Sequence, residues 1–286
     1  MKLRVAITGA NGMLGAALAR RLLAAGAGVQ ALARRAPNLA GAEWKTYDLA
    51  GPGTANLENI DVVVHAAFAQ GAAGPALQEL NRSAAQRLLA AARKQGAHFI
   101  FISSMSAHAD AASSYGRAKW AIEQMLDPAG DTIVRPGLIV GPGGTYARML
   151  AALRRAPVVP VFYGGTQPVQ PAGLDDVVRG LERLATGRLA GVFNLGAPEP
   201  ITVRELYARM LAATGLRRAI VPLPGDFTVA LLRVGERLGL HLPVTVENLL
   251  GQKCLRAFDT SASFIRLGLT PAPLDDLNWS IPSPPP

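Results

Sequence analysis

The opening twenty-five residues constrain this chain more than any other stretch. Leu3-Arg4-Val5-Ala6-Ile7 is a short apolar run suited to a buried parallel strand, and Ala16 to Ala25 has helical composition and stops at Gly26. Between them lies Thr8-Gly9-Ala10-Asn11-Gly12-Met13-Leu14-Gly15. Glycines at this corner permit a tight turn and close approach of the backbone to a pyrophosphate, while the free N–H groups at the helix start offer hydrogen bonds and partial positive charge to an anion. Strand, glycine turn and helix in that order are the context a dinucleotide site requires. A glycine corner can also serve only to pack a helix on a strand, so a second feature must agree with it.

Along the first half, strand-like and helix-like segments alternate. Val29 to Ala33, Trp44 to Asp48, Asp61 to Ala66, Ala97 to Ser103 and Thr132 to Arg135 are candidate strands. Leu77 to Gln95, closed by Gly96, and Ser114 to Leu126, closed by Pro128, are the clearest helices between them. Val62-Val63-Val64 and Phe99-Ile100-Phe101-Ile102 show no alternation, as expected of strands covered on both faces. The pattern predicts an α/β fold, a Rossmann-like doubly wound parallel sheet, over residues 1–144. Residues 145–282 are more irregular, with helices expected at Asp175 to Ala185, Val203 to Ala213, Thr228 to Leu238 and Val244 to Leu250. They read as a smaller substrate-binding region whose pieces are too short and proline-broken for a core of their own and pack back on the sheet. Ser283 to Pro286 reads as a frayed tail.

With 286 residues, half of them hydrophobic, the chain can bury a large core. No apolar stretch reaches the roughly 18 residues that a bilayer span needs, and no charged leader precedes the first strand. Cytoplasmic localisation is expected, with no membrane partner. The single cysteine, Cys254, has no partner for an intrachain disulfide or zinc site, and four scattered histidines suggest no metal. The net charge of +9 is spread over Arg20-Arg21, Arg34-Arg35, Arg154-Arg155 and Arg217-Arg218 without interleaved aromatics. These are solvated helix faces or a field that steers an anionic ligand, and not a nucleic-acid surface.

The second feature is Tyr115-Gly116-Arg117-Ala118-Lys119, preceded by Ser103 and Ser104 at a strand end. A phenol titrates near pH 10 in water, and a lysine one helical turn away favours its ionised form. Tyr115 and Lys119 stand at i and i+4, on one face of a helix. A serine nearby can hydrogen-bond the same substrate oxygen. Tyr-x-x-x-Lys also arises by chance, as packing plus a surface charge; here the glycine corner supports the chemical reading. His65 ends an apolar strand and reads as a packed residue lining the cleft.

At these residues the chain resembles the extended branch of the short-chain dehydrogenase/reductase superfamily, the NAD-dependent epimerase/dehydratase family. The resemblance rests on Thr8-Gly9-x-x-Gly12-x-x-Gly15, Asp48-Leu49, His65-Ala66-Ala67, Asn81, Ser103-Ser104, Tyr115-x-x-x-Lys119, Arg135-Pro136-Gly137 and Leu174-Asp175-Asp176-Val177. It implies that Tyr115 is the general acid/base, that Lys119 holds the nicotinamide ribose and lowers the tyrosine pKa, and that Ser104, ahead of Ser103, polarises the substrate carbonyl. Gly9, Asn11, Gly12, Met13, Leu14 and Gly15 would meet the dinucleotide, Asp48 and Leu49 its adenine, and Ala66 and Ala67 would wall it. Pro136 and Gly137 would border the nicotinamide, Asn81 would lie near the catalytic group, and Asp176 would cap a helix. Relatives commonly dimerise through the helices at Leu77 to Gln95 and Ser114 to Leu126, which implies a homodimer.

Two departures shape the functional expectation. The eleven-residue interval from Ser104 to Tyr115 is shorter than is usual in sugar-nucleotide epimerases. Arg34-Arg35 stands where NAD-selective folds place an acidic residue on the ribose 2′-hydroxyl. Arginine there suits the 2′-phosphate of NADP, which is favoured over NAD, unless both are plain surface residues. Three readings follow: an NAD(P)-dependent oxidoreductase acting at a carbonyl or alcohol; a nucleotide-sugar epimerase or dehydratase with tightly bound NAD; or a non-catalytic dinucleotide sensor or scaffold. The substrate expected is a small molecule, phosphorylated or nucleotide-linked in some of these readings.

Overall fold

A computed structural model describes residues 2–51, 55–69, 74–237 and 244–280. The tail expected at 283–286 and Leu238, the expected end of one helix, lie outside the described residues.

The alternating first half builds β1 (Arg4–Thr8), α1 (Met13–Ala24), β2 (Gly28–Ala33), β3 (Glu43–Thr46), β4 (Val62–His65), α2 (Pro75–Lys94), β5 (His98–Ile102), α3 (Ser114–Glu123) and β6 (Thr132–Pro136). With β11 (Gly191–Leu195) these strands form a seven-stranded parallel sheet in the order β11-β6-β5-β4-β1-β2-β3. Successive strand residues face opposite sides, so the unbroken apolar runs divide between two layers. Val5, Ile7, Val62, Val64, Ile100 and Ile102 join Leu18 and Leu22 of α1 on one side. Ala6, Val63, Phe99 and Phe101 join Leu88 and Leu89 of α2 and Ile122 of α3 on the other. Strand order reverses between β1 and β4, and the crevice beyond their carboxyl ends is where such sheets hold ligands.

Most expected boundaries move by one to three residues. The strand expected to run to Asp48 stops at Thr46; Asp48 Oδ1 instead accepts from Ala50 N at 3.0 Å and turns the chain. The helix expected to reach Leu126 ends at Glu123, because the next turn folds Leu126 N back onto Glu123 O at 3.1 Å.

The second half comprises β7 (Leu138–Val140), α4 (Gly144–Arg155), β8 (Val158–Phe162), β9 (Pro168–Val169), β10 (Pro171–Gly173), α5 (Leu174–Gly187), β12 (Ile201–Thr202), α6 (Val203–Thr214), β13 (Ala219–Leu223), α7 (Gly225–Arg237), α8 (Val246–Lys253) and α9 (Ser261–Leu267). α5 and α9 do pack back on the sheet, through Val177, Leu181, Phe264 and Leu267. The expectation that these pieces lack a core of their own is corrected: Tyr146, Leu150 and Leu153 of α4 gather with Leu206 and Met210 of α6 and with Trp279. Short elements manage this by pooling side chains from distant positions, and Tyr146 OH donates to Trp279 O at 2.5 Å. Asp176 is also reassigned. It lies inside the first turn of α5, where it pairs with Arg179 and accepts from Ala272 N at 2.9 Å, while Gly173 is the cap.

Candidate active site

The glycine turn sits where β1 enters α1. Gly9 has φ 70°, a left-handed conformation that suits glycine. A methyl group on Gly15 would lie 2.4 Å from Gly9 O, so the first turn of α1 can rest on the loop only if residue 15 lacks a side chain. Gly12, the N-cap, gives no side-chain hydrogen bond, and the first turn holds no acidic residue. The orphan N–H groups of that turn are thus left for an anion, and the cradle fits a pyrophosphate. Met13 packs toward Gly141 and Gly143, and Leu14 against the sheet core. Asn11 Nδ2 donates to Arg35 O at 2.8 Å and so holds the Arg34-Arg35 segment beside the turn. Both arginines are exposed, and neither side chain has a hydrogen-bond or ion-pair partner among the described residues.

The adjacent loops are fixed by buried polar bonds. Thr8 Oγ1 shares a 2.8 Å hydrogen bond with His65 Nδ1 and accepts from Ala67 N at 3.1 Å, which pins the Ala66-Ala67 wall to β1. Burial, with Lys119 charge second, pushes the His65 pKa down to about 3, so this imidazole stays neutral and structural. Asn81 Oδ1 accepts from Ala69 N at 2.7 Å and its Nδ2 donates to Ala69 O at 3.2 Å, clamping the end of the same wall. Across the sheet, Arg87 donates to Leu49 O at 2.8 Å and steadies the Asp48-Leu49 turn. Pro136 ends β6 and its carbonyl accepts from Met105 N at 3.2 Å; the next residue, Gly137, donates to Leu195 O at 2.8 Å.

Tyr115 and Lys119 share one face of α3, as their spacing predicts. Ser113 caps that helix by accepting from Gly116 N at 3.1 Å. Tyr115 is 41% exposed. Burial raises its pKa, against the lowering effects of the neighbouring Ser104 hydroxyl and of the Arg148 charge. Lys119 is only 3% exposed; its Nζ donates to Ile102 O at 2.6 Å and lies 4.4 Å and 4.7 Å from the ring centres of Phe68 and Phe101. Burial lowers its pKa to about 7, with Glu123 acting in the opposite direction. The two serines are separated by their partners. Ser103 donates to Glu123, which is also gripped by Arg135 through Nε at 2.9 Å, whereas Ser104 faces Tyr115.

Residues 5–196 match the profile of the NAD dependent epimerase/dehydratase family. The chain belongs to that family. Among curated relatives, ceramide reductase of Caulobacter vibrioides is 35% identical over 169 residues, 55% of this chain and 53% of that protein. The chain thus matches about half the length of that relative. The structure of gox2253 superposes with a TM-score of 0.76 at 22% identity, over 98% of this chain and 96% of that one. That of TunA, an NAD-dependent NDP-hexosamine 5,6-dehydratase, does so with a TM-score of 0.69 at 21% identity, over 94% and 92%. These two likenesses are likenesses of fold. The chain carries a Rossmann-like parallel sheet, and the family whose model it matches is described as NAD dependent.

Four side chains around this family member's site escape a local reading of the sequence. Glu123 carries a usable signal, since it stands at i+4 from Lys119 on the face that holds Tyr115. Phe68 stacks edge-on to Tyr115 with ring centres 5.2 Å apart. Arg148 on α4 acts electrostatically on Tyr115. Glu247 on α8 accepts from Ser114 N at 2.6 Å and Ser114 Oγ at 3.0 Å, across 133 positions of sequence that no local pattern spans.

Proposed function

We propose that the protein is an NADP-preferring oxidoreductase that interconverts a carbonyl and an alcohol, with Tyr115 as the acid/base. The observation that carries this reading is that Tyr115 and Lys119 share one face of α3 at the carboxyl edge of the sheet, where the Ser104 hydroxyl acts on the phenol. A reductase among the curated relatives supports the same direction. When bound, the dinucleotide supplies the hydride. Tyr115 gives its phenolic proton to the carbonyl oxygen as the new C–H bond forms, and Ser104 donates a hydrogen bond to that oxygen. The resulting phenolate recovers its proton from solvent, its charge favoured by Arg148. Lys119, whose Nζ donates to Ile102 O, would hold the nicotinamide ribose. Gly9, Asn11, Gly12, Met13, Leu14 and Gly15 would receive the pyrophosphate, Asp48 and Leu49 the adenine, and Ala66, Ala67, Pro136 and Gly137 would enclose the nicotinamide end.

Arg34 is assigned to the 2′-phosphate, with Arg35 beside it. Unpartnered exposed guanidinium groups held next to the turn suit bidentate, charge-assisted bonds to phosphate. The test is to denature freshly purified protein, identify any dinucleotide released by mass spectrometry, and compare NADPH with NADH binding in wild type and Arg34→Asp. The reading expects an exchangeable site that prefers NADPH, and a loss in the variant of about tenfold or more for NADPH, one charge-assisted hydrogen bond or better, with NADH little changed. Stoichiometric NAD⁺ retained by the wild type would instead identify an epimerase or dehydratase cycle, and equal losses for both cofactors would remove Arg34 from the 2′-phosphate.

A further inference from the structure

The short interval from Ser104 to Tyr115 is built as a seat for α3. Ser104 O accepts from Ala107 N at 2.9 Å, Ser104 Oγ from Ser106 N at 3.1 Å and His108 O from Ala111 N at 3.0 Å, so the segment folds into successive tight turns. Gly116 comes down on these turns so closely that a methyl group there would stand 2.4 Å from Ser106 O and 2.9 Å from Ala111 Cβ. The placing of the turns therefore decides where the start of α3, with Tyr115 on it, meets Ser104.

One C-terminal stretch clasps the turns from outside. Glu247, in the first turn of α8, holds Ser114 at one end, and the residues that follow α8 hold His108 in the middle. His108 is buried; its Nε2 lies 3.0 Å from Cys254 O and its Nδ1 2.7 Å from Arg256 Nη2, which also donates to Asp110 Oδ2 at 2.7 Å. A carbonyl only accepts and a guanidinium only donates, so Nε2 carries the ring proton and Nδ1 is bare. The contact with Arg256 thus belongs to the neutral ring. A proton on Nδ1 would set N–H against N–H and one positive charge beside another, leaving Arg256 to Asp110 alone. Burial and then the Arg256 charge hold the His108 pKa below its usual 6.5; Arg135 acts in the same direction, while the hydrogen bond to Cys254 O and the Asp110 charge oppose it.

We propose that His108 and Arg256 are positioning residues for the carbonyl chemistry at Tyr115: together they latch the turns between Ser104 and Tyr115 while His108 is neutral, and release them when it is protonated. In naming that chemistry the proposal rests on the reductase reading; the latch itself does not. Neither residue touches the reacting atoms, and both act through the seat of α3. Because the folded ring resists the proton that the unfolded chain accepts below pH 6.5, the latch is fully made above that value and is lost as pH falls through the lower, folded pKa. The consequence is distinctive. A protonated Tyr115 and a charged Lys119 would by themselves favour carbonyl reduction at acid pH, whereas the latch makes activity fall there.

The experiment is backbone hydrogen exchange of the full chain, without cofactor or substrate, at about pH 7.5 and about pH 4.5, with rates corrected for the intrinsic effect of pH. In wild type the amides of residues 104–115 should exchange about tenfold faster or more at the lower pH, measured against those of β5, which report the sheet. His108→Asn, which offers Arg256 an acceptor oxygen that does not titrate, should keep the segment protected at both pH values. Arg256→Met, made at a side chain that is 42% exposed, should leave it unprotected at both. With a carbonyl substrate that the wild type reduces, kcat of the wild type should fall about tenfold or more at the lower pH and that of His108→Asn should not. Protection in wild type that does not change with pH, or that is lost equally in His108→Asn, overturns the latch. An acid fall in kcat shared equally by wild type and His108→Asn overturns its positioning role. The exchange readout needs no turnover, so the latch can fail while the reductase reading stands, and the reverse.

Discussion

At the scale of single residues, the neighbouring serines separate chemistry from stability. Ser103→Ala leaves the buried Glu123 carboxylate short of one donor, so denaturant unfolding should show a loss of about 1–2 kcal/mol with kcat little changed. Ser104→Ala removes the hydroxyl proposed to bond the substrate oxygen, and kcat should fall about a hundredfold with stability nearly unchanged. The Ser-Ser pair is legible in the sequence; the division of labour is not, because it depends on Glu123 and Arg135 closing over one serine. Lys119 gives a pH test. Its folded pKa of about 7 lies below the unfolded value of 10.5, so the unfolded chain binds more protons between these limits and stability should rise as pH rises through them. Lys119→Met should remove that slope and, at pH values below the window, be the more stable protein by on the order of a few kcal/mol. Parallel unfolding curves for wild type and variant across the window would contradict the assignment.

At the scale of elements, the site depends on how closely α3 approaches the Ser104 segment. A methyl group on Gly116 would meet Ser106 O at 2.4 Å. Gly116→Ala should therefore push the helix outward and separate Tyr115 from Ser104. The expected result is a fall in kcat of about tenfold or more with the dinucleotide Kd held within a few fold, because the cofactor turn lies on α1 and not on α3. Equal losses in kcat and cofactor affinity would point to general disruption. The parallel strands and α1, α2 and α3 were legible because doubly covered strands give unbroken apolar runs and their helices end at glycine, proline or a polar cap. α4 was not read as a helix, since it follows Pro142-Gly143-Gly144 and its apolar positions answer to Trp279, more than a hundred residues away. The Tyr115–Lys119 face was visible from spacing; Phe68 and Glu247 reach it only through tertiary folding.

At the scale of the whole molecule, sheet and appended region meet at one edge. The sheet holds the glycine turn, the Ala66-Ala67 wall and Pro136-Gly137 at the ends of β1, β4 and β6, while α4 contributes Arg148 and α8 braces the start of α3. Assembly of these pieces brings Tyr115 beside Ser104 and Arg148, on the face of α3 that also carries Lys119. The most direct test of this account is steady-state turnover of Tyr115→Phe with a carbonyl substrate that the wild type reduces, alongside its NADPH Kd. The account predicts that kcat falls by about a thousandfold or more, the loss of the proton donor, while the NADPH Kd stays within a few fold of wild type. Full activity in Tyr115→Phe would contradict it.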